Sequence, residues 1–257
     1  MTMIARRFLA AVGLAVPVAL AAGAAGAEEV LPAYNTYLAV PFVVDKGGLA
    51  ADTVAYLNAR LAGRYRFRLE NLPRRRLVET VLVDPAFRGV VLFLNPVFVD
   101  DAERQRFQWT VPIFSDANAV VSSTARRIEY AEPASLDGMR FGGILGHRYA
   151  GLEERFGTKL QREDVPDELT NLKKIASGRI DVTVMPFTTY RYLIKYFGVE
   201  HALINRLHVS ERPHARFERM MFVSHADPAL ARQLGQVADG MRSDPAWKAI
   251  LARYGID

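Results

Sequence analysis

Histidine is the residue type in this sequence best suited to acid–base chemistry, because its pKa lies near neutral pH. Of the five histidines, His147 alone follows a predicted strand in a place where an acid or base could face a cleft. The others are too scattered to predict a metal site; they are His201, His208, His214 and His225. No HExxH, GxSxG or Walker pattern occurs. The sequence therefore predicts no catalytic residue, no metal and no cofactor.

Two polar or aromatic side chains stand where a ligand could be bound. Asn95 directly follows the apolar run GVVLFL (89–94) and precedes Pro96. Its amide can contact a ligand at the end of a strand, or it can cap the turn that the proline introduces. Trp109 can form the wall of a pocket, although tryptophan also commonly packs in a core. Both interpretations stay open for each residue.

These side chains must be held by alternating strands and helices. The predicted strands are 30–33, 66–69, 89–94, 119–122, 140–145, 181–185 and 219–223. The predicted helices are 48–61, 77–82, 168–177, 188–197, 228–241 and 245–254. This alternation favours an α/β fold with mainly parallel sheets.

The N-terminal region has the three parts of a secretory signal. Arg6 and Arg7 precede an apolar stretch at 9–20, and the small residues AGA at 25–27 fit a cleavage site. A membrane anchor is the alternative, but a span needs ~20 consecutive apolar residues and the Gly/Ala-rich end fits it poorly. We therefore expect a signal peptide at 1–27, export by the general or the twin-arginine route, and a periplasmic location.

The amino-acid composition excludes several kinds of site and partner. The chain of 257 residues contains no cysteine, so disulfides, thiol nucleophiles and cysteine-bound zinc are excluded. Half of the residues are apolar, enough for a sizeable core. The net charge of +5 is modest, and the basic runs at 64–68 and 74–76 are interpreted as solvated faces. We therefore expect no nucleic-acid partner.

Five short motifs follow one another along the chain. They are GLAAD (48–52), ERQRFQWTVP (103–112), SLDGMRFG (135–142), GRIDV (178–182, within 171–182) and DPAW (244–247). Together they resemble the polar amino-acid-binding periplasmic proteins of solute-binding family 3, in that family's order. The resemblance implies an α/β fold with two Rossmann-like lobes joined by two crossover strands, the type II periplasmic binding protein fold. It assigns 28–113 and 216–257 to lobe 1, 118–208 to lobe 2, and 114–117 and 209–215 to the hinge.

The resemblance also implies which residues of lobe 1 face the ligand. Tyr37 and Phe42 lie in the loop after the first strand, where the family places an aromatic lid; core packing is the other interpretation. Arg104 resembles the arginine that grips a ligand carboxylate through its planar fork. It lies five residues before Trp109, one fewer than in the family, and Arg106 is nearby. Whether Arg104 or Arg106 faces the cleft stays open, as does a surface position for Arg104.

Two sequence differences from the family concern the bound ligand. The loop at 146–149 reads GHRY in place of short hydroxyl residues, which favours a bulkier or more anionic ligand. The strand ending at Pro186 lacks the carboxylate that pairs with a ligand ammonium, and Asp116 is a candidate substitute. The predicted ligand-binding residues are Tyr37, Phe42, Asn95, Arg104, Trp109, Asn118, Gly146, His147, Arg148, Tyr149 and Pro186.

The function implied is capture of a small polar, anionic solute, an amino acid or related carboxylate, by a monomer that serves an ABC permease in the inner membrane. A ligand-sensing module for a membrane receptor is the first alternative. A dehydratase-like enzyme on the same fold is the second, with His147 as its acid–base group.

Overall fold

The computed structural model describes residues 28–256. The predicted signal peptide, 1–27, lies outside the described residues. Among the helices that the model describes, none combines the length and the apolar character needed to span a bilayer.

Strands and helices alternate through most of the chain. The strands are β1 (Glu29–Asn35), β2 (Tyr65–Asn71), β3 (Val90–Leu94), β4 (Gln108–Trp109), β5 (Phe114–Ser123), β6 (Arg140–Ile144), β7 (Gln161–Val165), β8 (Val182–Pro186), β9 (Leu207–Val209) and β10 (Ala215–Val223). The helices are α1 (Leu49–Arg60), α2 (Arg74–Arg76), α3 (Glu168–Ala176), α4 (Phe187–Phe197), α5 (Pro228–Met241) and α6 (Pro245–Arg253). A π-helical turn, Leu77–Val81, continues α2, where the sequence predicted an ordinary helix.

The strands form one continuous sheet in the order β2-β1-β3-β10-β5-β8-β6-β7, with β4 beside β10 and β9 beside β5. β1 pairs in parallel with β2 and β3, and β6 pairs in parallel with β7 and β8. The two long strands in the middle, β5 and β10, pair antiparallel with all their neighbours. The prediction of mainly parallel sheets is therefore wrong for the middle of the sheet. There β5 runs across the molecule in one direction and β10 returns in the opposite direction.

Apolar side chains are buried in separate clusters on either side of the crossing strands. One side is built around α1, β1–β3 and the C-terminal helices, with Leu49, Leu57 and Trp247 all 0% exposed. Trp247 of α6 lies 5.5 Å from Tyr56 of α1, measured between ring centroids. The other side is built around β6, β8, α3 and α4, with Phe141 and Leu172 both 0% exposed. The final segment thus packs on the elements that open the chain.

The first turns of α3, α5 and α6 carry residues that favour the start of a helix. Asp167, Asp227 and Asp244 each accept a hydrogen bond from a backbone N–H in the first turn of α3, α5 and α6, as N-caps do. Proline occupies the first turn of α5 and α6, where its missing N–H costs nothing. The N-termini of these helices are therefore fixed locally, independent of the packing around them.

Candidate functional site

A cleft-facing edge is defined on each side of the crossing strands by the carboxyl ends of the parallel strands. On the first side, Thr36 and Tyr37 follow β1, Arg74 follows β2 and Asn95 follows β3. On the second side, the 145–149 loop follows β6, Glu168 follows β7 and Phe187 follows β8. In open α/β sheets, ligands bind at the carboxyl ends of the strands. These two edges are therefore the candidate site.

Arg74 is the least satisfied cation at this edge. Its Nη2 donates to the Tyr37 hydroxyl at 3.2 Å, and its Nη1 donates to the Phe98 carbonyl at 3.1 Å. Its Nε is buried and has no hydrogen-bond partner among the described residues. The guanidinium also lies 5.6 Å from the centre of the Tyr37 ring. Arg74 thus keeps a donor free for a group that the described protein residues do not provide.

A second arginine close to Tyr37 is fully buried, on the crossing strand β10. Arg219 of β10 donates through Nε and Nη2 to the Asp116 carboxylate of β5, at 3.0 and 2.6 Å. Its guanidinium lies 4.1 Å from the Tyr37 ring centre and 5.0 Å from that of Phe42. The other Asp116 oxygen accepts from the N–H of Thr188 at the start of α4. Asp116, the candidate ammonium partner, is therefore already engaged by Arg219.

The loop after β6 brings His147 and Tyr149 together, with ring centroids 4.7 Å apart. The Tyr149 ring is 4% exposed, and its hydroxyl accepts from the Ile144 N–H at 2.9 Å. The His147 side chain keeps an exposed face, yet burial and the charges of Arg162 and Arg74 lower the pKa of its imidazole. Arg74 belongs to the other edge, and its charge is one of the causes of this lowered pKa.

Glu168 opens α3 directly beside this loop. One of its carboxylate oxygens, Oε2, is buried and lacks a partner among the described residues. Burial raises the pKa of Glu168 to about 8, against the effect of a hydrogen bond with Asn171, and the charge of Asp167 adds to the rise. The Asn171 amide in turn donates to the Gly143 carbonyl of β6 at 3.2 Å. Glu168 is thus held over the end of β6 and is largely protonated at neutral pH.

The other predicted ligand-binding residues lie in more varied places. Tyr37 and Phe42 adjoin, with ring centroids 4.8 Å apart, and Phe42 is 1% exposed in the core. Asn118 and Pro186 are paired in register between β5 and β8. Gly146 and Arg148 are exposed, and Gly146 has a φ of 74° that favours glycine.

Asn95 makes hydrogen bonds typical of a turn. Its Oδ1 accepts from the Val97 N–H, and its Nδ2 donates to the Glu218 carbonyl, both at 3.2 Å. These bonds occupy the amide as a cap of the short helical turn that follows. The structure therefore favours the turn interpretation for the amide of Asn95.

The 101–109 segment folds back on itself. Asp101 accepts hydrogen bonds from the backbone N–H groups of Gln105 and Arg106 and from Trp109 Nε1, the last at 2.7 Å. The Trp109 ring lies 4.4 Å from that of Phe222, in a cluster of buried side chains. Arg104 is exposed, and Arg106 donates to the Val99 carbonyl at 2.8 Å. Trp109 therefore packs against the buried cluster that contains Phe222, against which Tyr37 packs as well.

The sequence interpretation missed Thr36, Arg74, Glu168 and Arg219. Thr36 Oγ1 is also buried without a partner among the described residues. Arg74 was grouped with Arg75 and Arg76 as a solvated run, and those two are indeed exposed. Their positions in the chain were the available signal. Arg74 comes shortly after the end of β2, and Glu168 comes shortly after the end of β7. The part of the chain that the structure describes contains no cluster of three or more His, Asp or Glu residues able to hold a metal.

Comparison with known proteins supports the fold. No protein-family model matches the chain, and no curated protein matches it. An arginine transport-system periplasmic binding protein from Legionella pneumophila is 15% identical, with a TM-score of 0.62 over 88% of this chain and 100% of that one. A putative ABC-transporter binding component from Wolinella succinogenes, complexed with lysine, is 12% identical, with a TM-score of 0.65 over 90% and 97%.

A further periplasmic domain has a similar fold as well. The BvgS periplasmic domain of B. pertussis is 20% identical, with a TM-score of 0.65 over 88% of this chain; this chain spans 42% of that one. At such identities the likeness shows the fold alone. The α/β fold of type II periplasmic binding proteins, predicted through the resemblance to solute-binding family 3, is confirmed.

Proposed function

We propose that this protein binds a small solute bearing a carboxylate, held between the two cleft-facing edges and recognised by Arg74. The observation that carries the proposal is the free, buried Nε of Arg74, whose guanidinium meets only the Tyr37 hydroxyl and a backbone carbonyl among the described residues. A planar guanidinium binds a carboxylate through two charge-assisted hydrogen bonds.

Residues of the other edge complete the site. Gly146 and Arg148 of the loop after β6 are exposed, and free backbone N–H groups of such a loop can receive an anion. Arg104, which is exposed, stays a further candidate for binding the carboxylate. The proposal keeps the assignment of 28–113 with 216–257 and of 118–208 as lobes that close on the ligand, with 114–117 and 209–215 as hinge.

The role of such binding is delivery to a membrane partner from the periplasm. Import is favoured because the similar fold from Wolinella succinogenes is described as a binding component of an ABC transporter. Ligand sensing for a membrane receptor is the second candidate. A dehydratase-like activity is the third candidate, with His147 as its acid–base group.

The test is thermal unfolding of the mature protein with a panel of amino acids, dicarboxylates and aromatic acids. A true ligand at 100 times its Kd stabilises the fold by about 2.7 kcal/mol. Arg74→Ala removes a charge-assisted contact of about 1.5–3 kcal/mol and so lowers the affinity more than tenfold. Arg76→Ala, two residues away and exposed, is the matched control and leaves the affinity unchanged. A ligand that binds Arg74→Ala as tightly as the wild type would refute the role of Arg74, and an inert panel would refute carboxylate binding.

A further inference from the structure

Arg162 of β7 reaches from the edge strand of the sheet into the loop that follows β6. The two strands are parallel neighbours, with Phe141 opposite Arg162. The Nη2 of Arg162 donates to the carbonyl of Ile144 at 3.2 Å and to the carbonyl of His147 at 2.8 Å. Its Nε donates to the Asp164 carboxylate at 2.7 Å. Arg162 therefore ties the edge strand to both ends of the turn that opens the loop.

Packing fixes the Arg162 side chain as well. Its guanidinium lies 5.2 Å from the ring centre of Tyr149 and 4.9 Å from that of Phe156. The Tyr149 ring is buried, and the side chain of Arg162 is 18% exposed. A Cβ at Gly143 would lie 2.8 Å from Arg162 Nε and would collide with the Asp164 carboxylate, so the bare glycine lets both side chains approach β6. Arg162 thus has one well-defined place.

The first four residues of the loop form a tight turn. The N–H of His147 donates to the Ile144 carbonyl at 2.9 Å, and Gly146, the third residue of the turn, has a φ of 74°. A positive φ at the third position is typical of a type II turn. The Ile144 carbonyl therefore accepts from both His147 and Arg162, while the Ile144 N–H donates to the Tyr149 hydroxyl. The shape of the turn is fixed at its first residue from both sides.

The peptide that joins His147 to Arg148 is oriented by the same arginine. Its carbonyl accepts from Arg162, and in a trans peptide the C=O and N–H groups point in opposite directions. The N–H of Arg148 therefore points away from Arg162. Among the described residues no group accepts from the N–H of Gly146 or of Arg148, and both residues are exposed. Arg162 thus determines where a free donor of the loop is directed.

The far end of the loop is attached to the crossing strands. The Ala150 carbonyl accepts from Nε2 of His214 at 2.8 Å. His214 directly precedes β10, and its own N–H donates to the Asn118 carbonyl of β5 at 2.8 Å. The loop is therefore held through its carbonyls at both ends, which leaves the N–H groups in its middle available.

We propose that Arg162 is a positioning residue of the site, which holds the loop after β6 so that the N–H groups of Gly146 and Arg148 receive the carboxylate of the solute. The inference rests on the proposed function and adds a residue that does not touch the solute. Arg162 acts through the peptide between His147 and Arg148. Without it the turn gains other conformations, and ordering them on binding lowers the affinity.

The test compares Arg162→Met and Arg162→Lys with the wild type. Methionine keeps an apolar stem between the rings of Tyr149 and Phe156 but loses every donor, whereas lysine keeps the charge and a donor without the planar fork. Arg179→Met, at an exposed position after α3, removes the same charge away from the loop and is the matched control. The probes are acetate, glutarate, phenylpropionate and L-glutamate, each titrated against sodium chloride at equal ionic strength while the backbone amide signals are followed by NMR.

In the wild type we expect a bound probe to move the amide proton signals of Gly146 and Arg148 downfield. Arg162→Met should bind the same probe at least tenfold more weakly and lose the shift at Arg148. Arg162→Lys should lie between, at least threefold weaker than the wild type and at least threefold tighter than Arg162→Met. Hydrogen exchange at Phe141 and Val182, which are paired between β6 and β8, should stay as in the wild type, whereas a general loss of structure would accelerate it.

The outcomes separate the two proposals. If Arg162→Met keeps the wild-type affinity, or if it and Arg162→Lys lose affinity equally, the role of Arg162 is overturned and carboxylate binding stands. A probe that binds the wild type without moving the signals of Gly146 and Arg148 overturns the inference as well. If Arg162→Met does not fold, Arg162→Lys decides, and wild-type affinity in that variant overturns the inference. If no probe binds the wild type, the proposed function fails and the inference fails with it.

Discussion

Arg219 and Asp116 form a fully buried ion pair between the two strands that cross the molecule, with Nη2 and Oδ2 2.6 Å apart and side-chain exposures of 0% and 1%. β10 and β5 are paired antiparallel here, with Arg219 opposite Phe114 and Asp116 opposite Phe217. The same carboxylate accepts from the first turn of α4. One ion pair therefore fixes both crossing strands and the adjacent helix beneath the candidate site.

Arg219→Met is expected to lower the free energy of unfolding by about 3–5 kcal/mol, because it leaves Asp116 buried without a cation. The measurement is urea unfolding at pH 7. The double variant Arg219→Met with Asp116→Asn removes the stranded charge and keeps an acceptor for Thr188, so it should recover more than half of the loss. A single variant within 1 kcal/mol of the wild type, on the order of an exposed ion pair, would contradict a structural role.

The carboxyl group of Asp181 makes the free energy of unfolding depend on pH. Hydrogen bonds from Arg140 lower the pKa of the Asp181 carboxyl to about 2, against the effect of burial, and Arg126 contributes further. A carboxyl whose pKa is lowered by folding stabilises the protein above its unfolded pKa, and this contribution is lost as the pH falls through the folded value. We expect Asp181→Asn to cost roughly 2 kcal/mol at pH 7.

The difference between Asp181→Asn and the wild type should shrink as the pH falls from about 4 towards about 2, measured by urea unfolding at several pH values. Asp239→Asn, an exposed position on α5, provides the control and should change stability little at any of these values. A cost that stays constant down to pH 2 would show that packing, and not charge, explains the effect.

The elements of the fold were largely predictable because their signals are local. The buried runs at 90–94 and 182–186 and the amphipathic helices at 49–60 and 228–241 coincide with predicted segments to within a few residues. The short strands β4, β7 and β9 were missed, since two or three residues carry no periodicity and β7 (QREDV) is mostly polar. The antiparallel pairing of β5 with β10 joins segments far apart in the sequence, and local patterns do not encode such a contact.

The site was less predictable because it depends on which side chains remain unpaired. Trp109 and Tyr149 have the composition of ligand-binding residues, but their polar atoms bond to Asp101 and Ile144 inside the fold. Arg74 belongs to a run of three arginines that look alike in sequence. In the fold, Arg74 is half-buried whereas Arg75 and Arg76 are exposed. Pairing of this kind is a tertiary property.

Gly142 of β6 packs closely against Asn171 of α3 and against Ile180. A Cβ at Gly142 would lie 2.4 Å from Asn171 Oδ1 and 2.3 Å from Ile180 Cδ1, so Gly142→Ala overpacks the core at a cost of about 1–3 kcal/mol. Gly235→Ala in α5 meets nothing within 4 Å and should stabilise the protein by up to about 1 kcal/mol. Thermal unfolding of both variants tests these opposite effects on stability. A Gly142→Ala variant as stable as the wild type would refute the close contact.

Helix α4 also contacts the end of α6 outside the cleft. Lys195 Nζ donates to the carbonyls of Ala252 and Arg253 at 2.9 and 3.2 Å, and the Tyr196 hydroxyl donates to the Arg253 carbonyl at 2.7 Å. The last carbonyls of a helix lack intrahelical partners and carry partial negative charge, so a cation and a hydroxyl there are favourable by about 1 kcal/mol.

This contact joins the two proposed lobes and should favour their closed arrangement. We expect Lys195→Met with Tyr196→Phe to weaken solute binding about fivefold, since 1 kcal/mol of closure energy corresponds to roughly that factor. Calorimetric titration measures the affinity, and small-angle X-ray scattering of the free protein should show a larger radius of gyration. Lys173→Met, exposed on α3, is the control. Unchanged affinity together with unchanged scattering would mean that the contact between α4 and α6 persists in every arrangement of the lobes and has no part in closure.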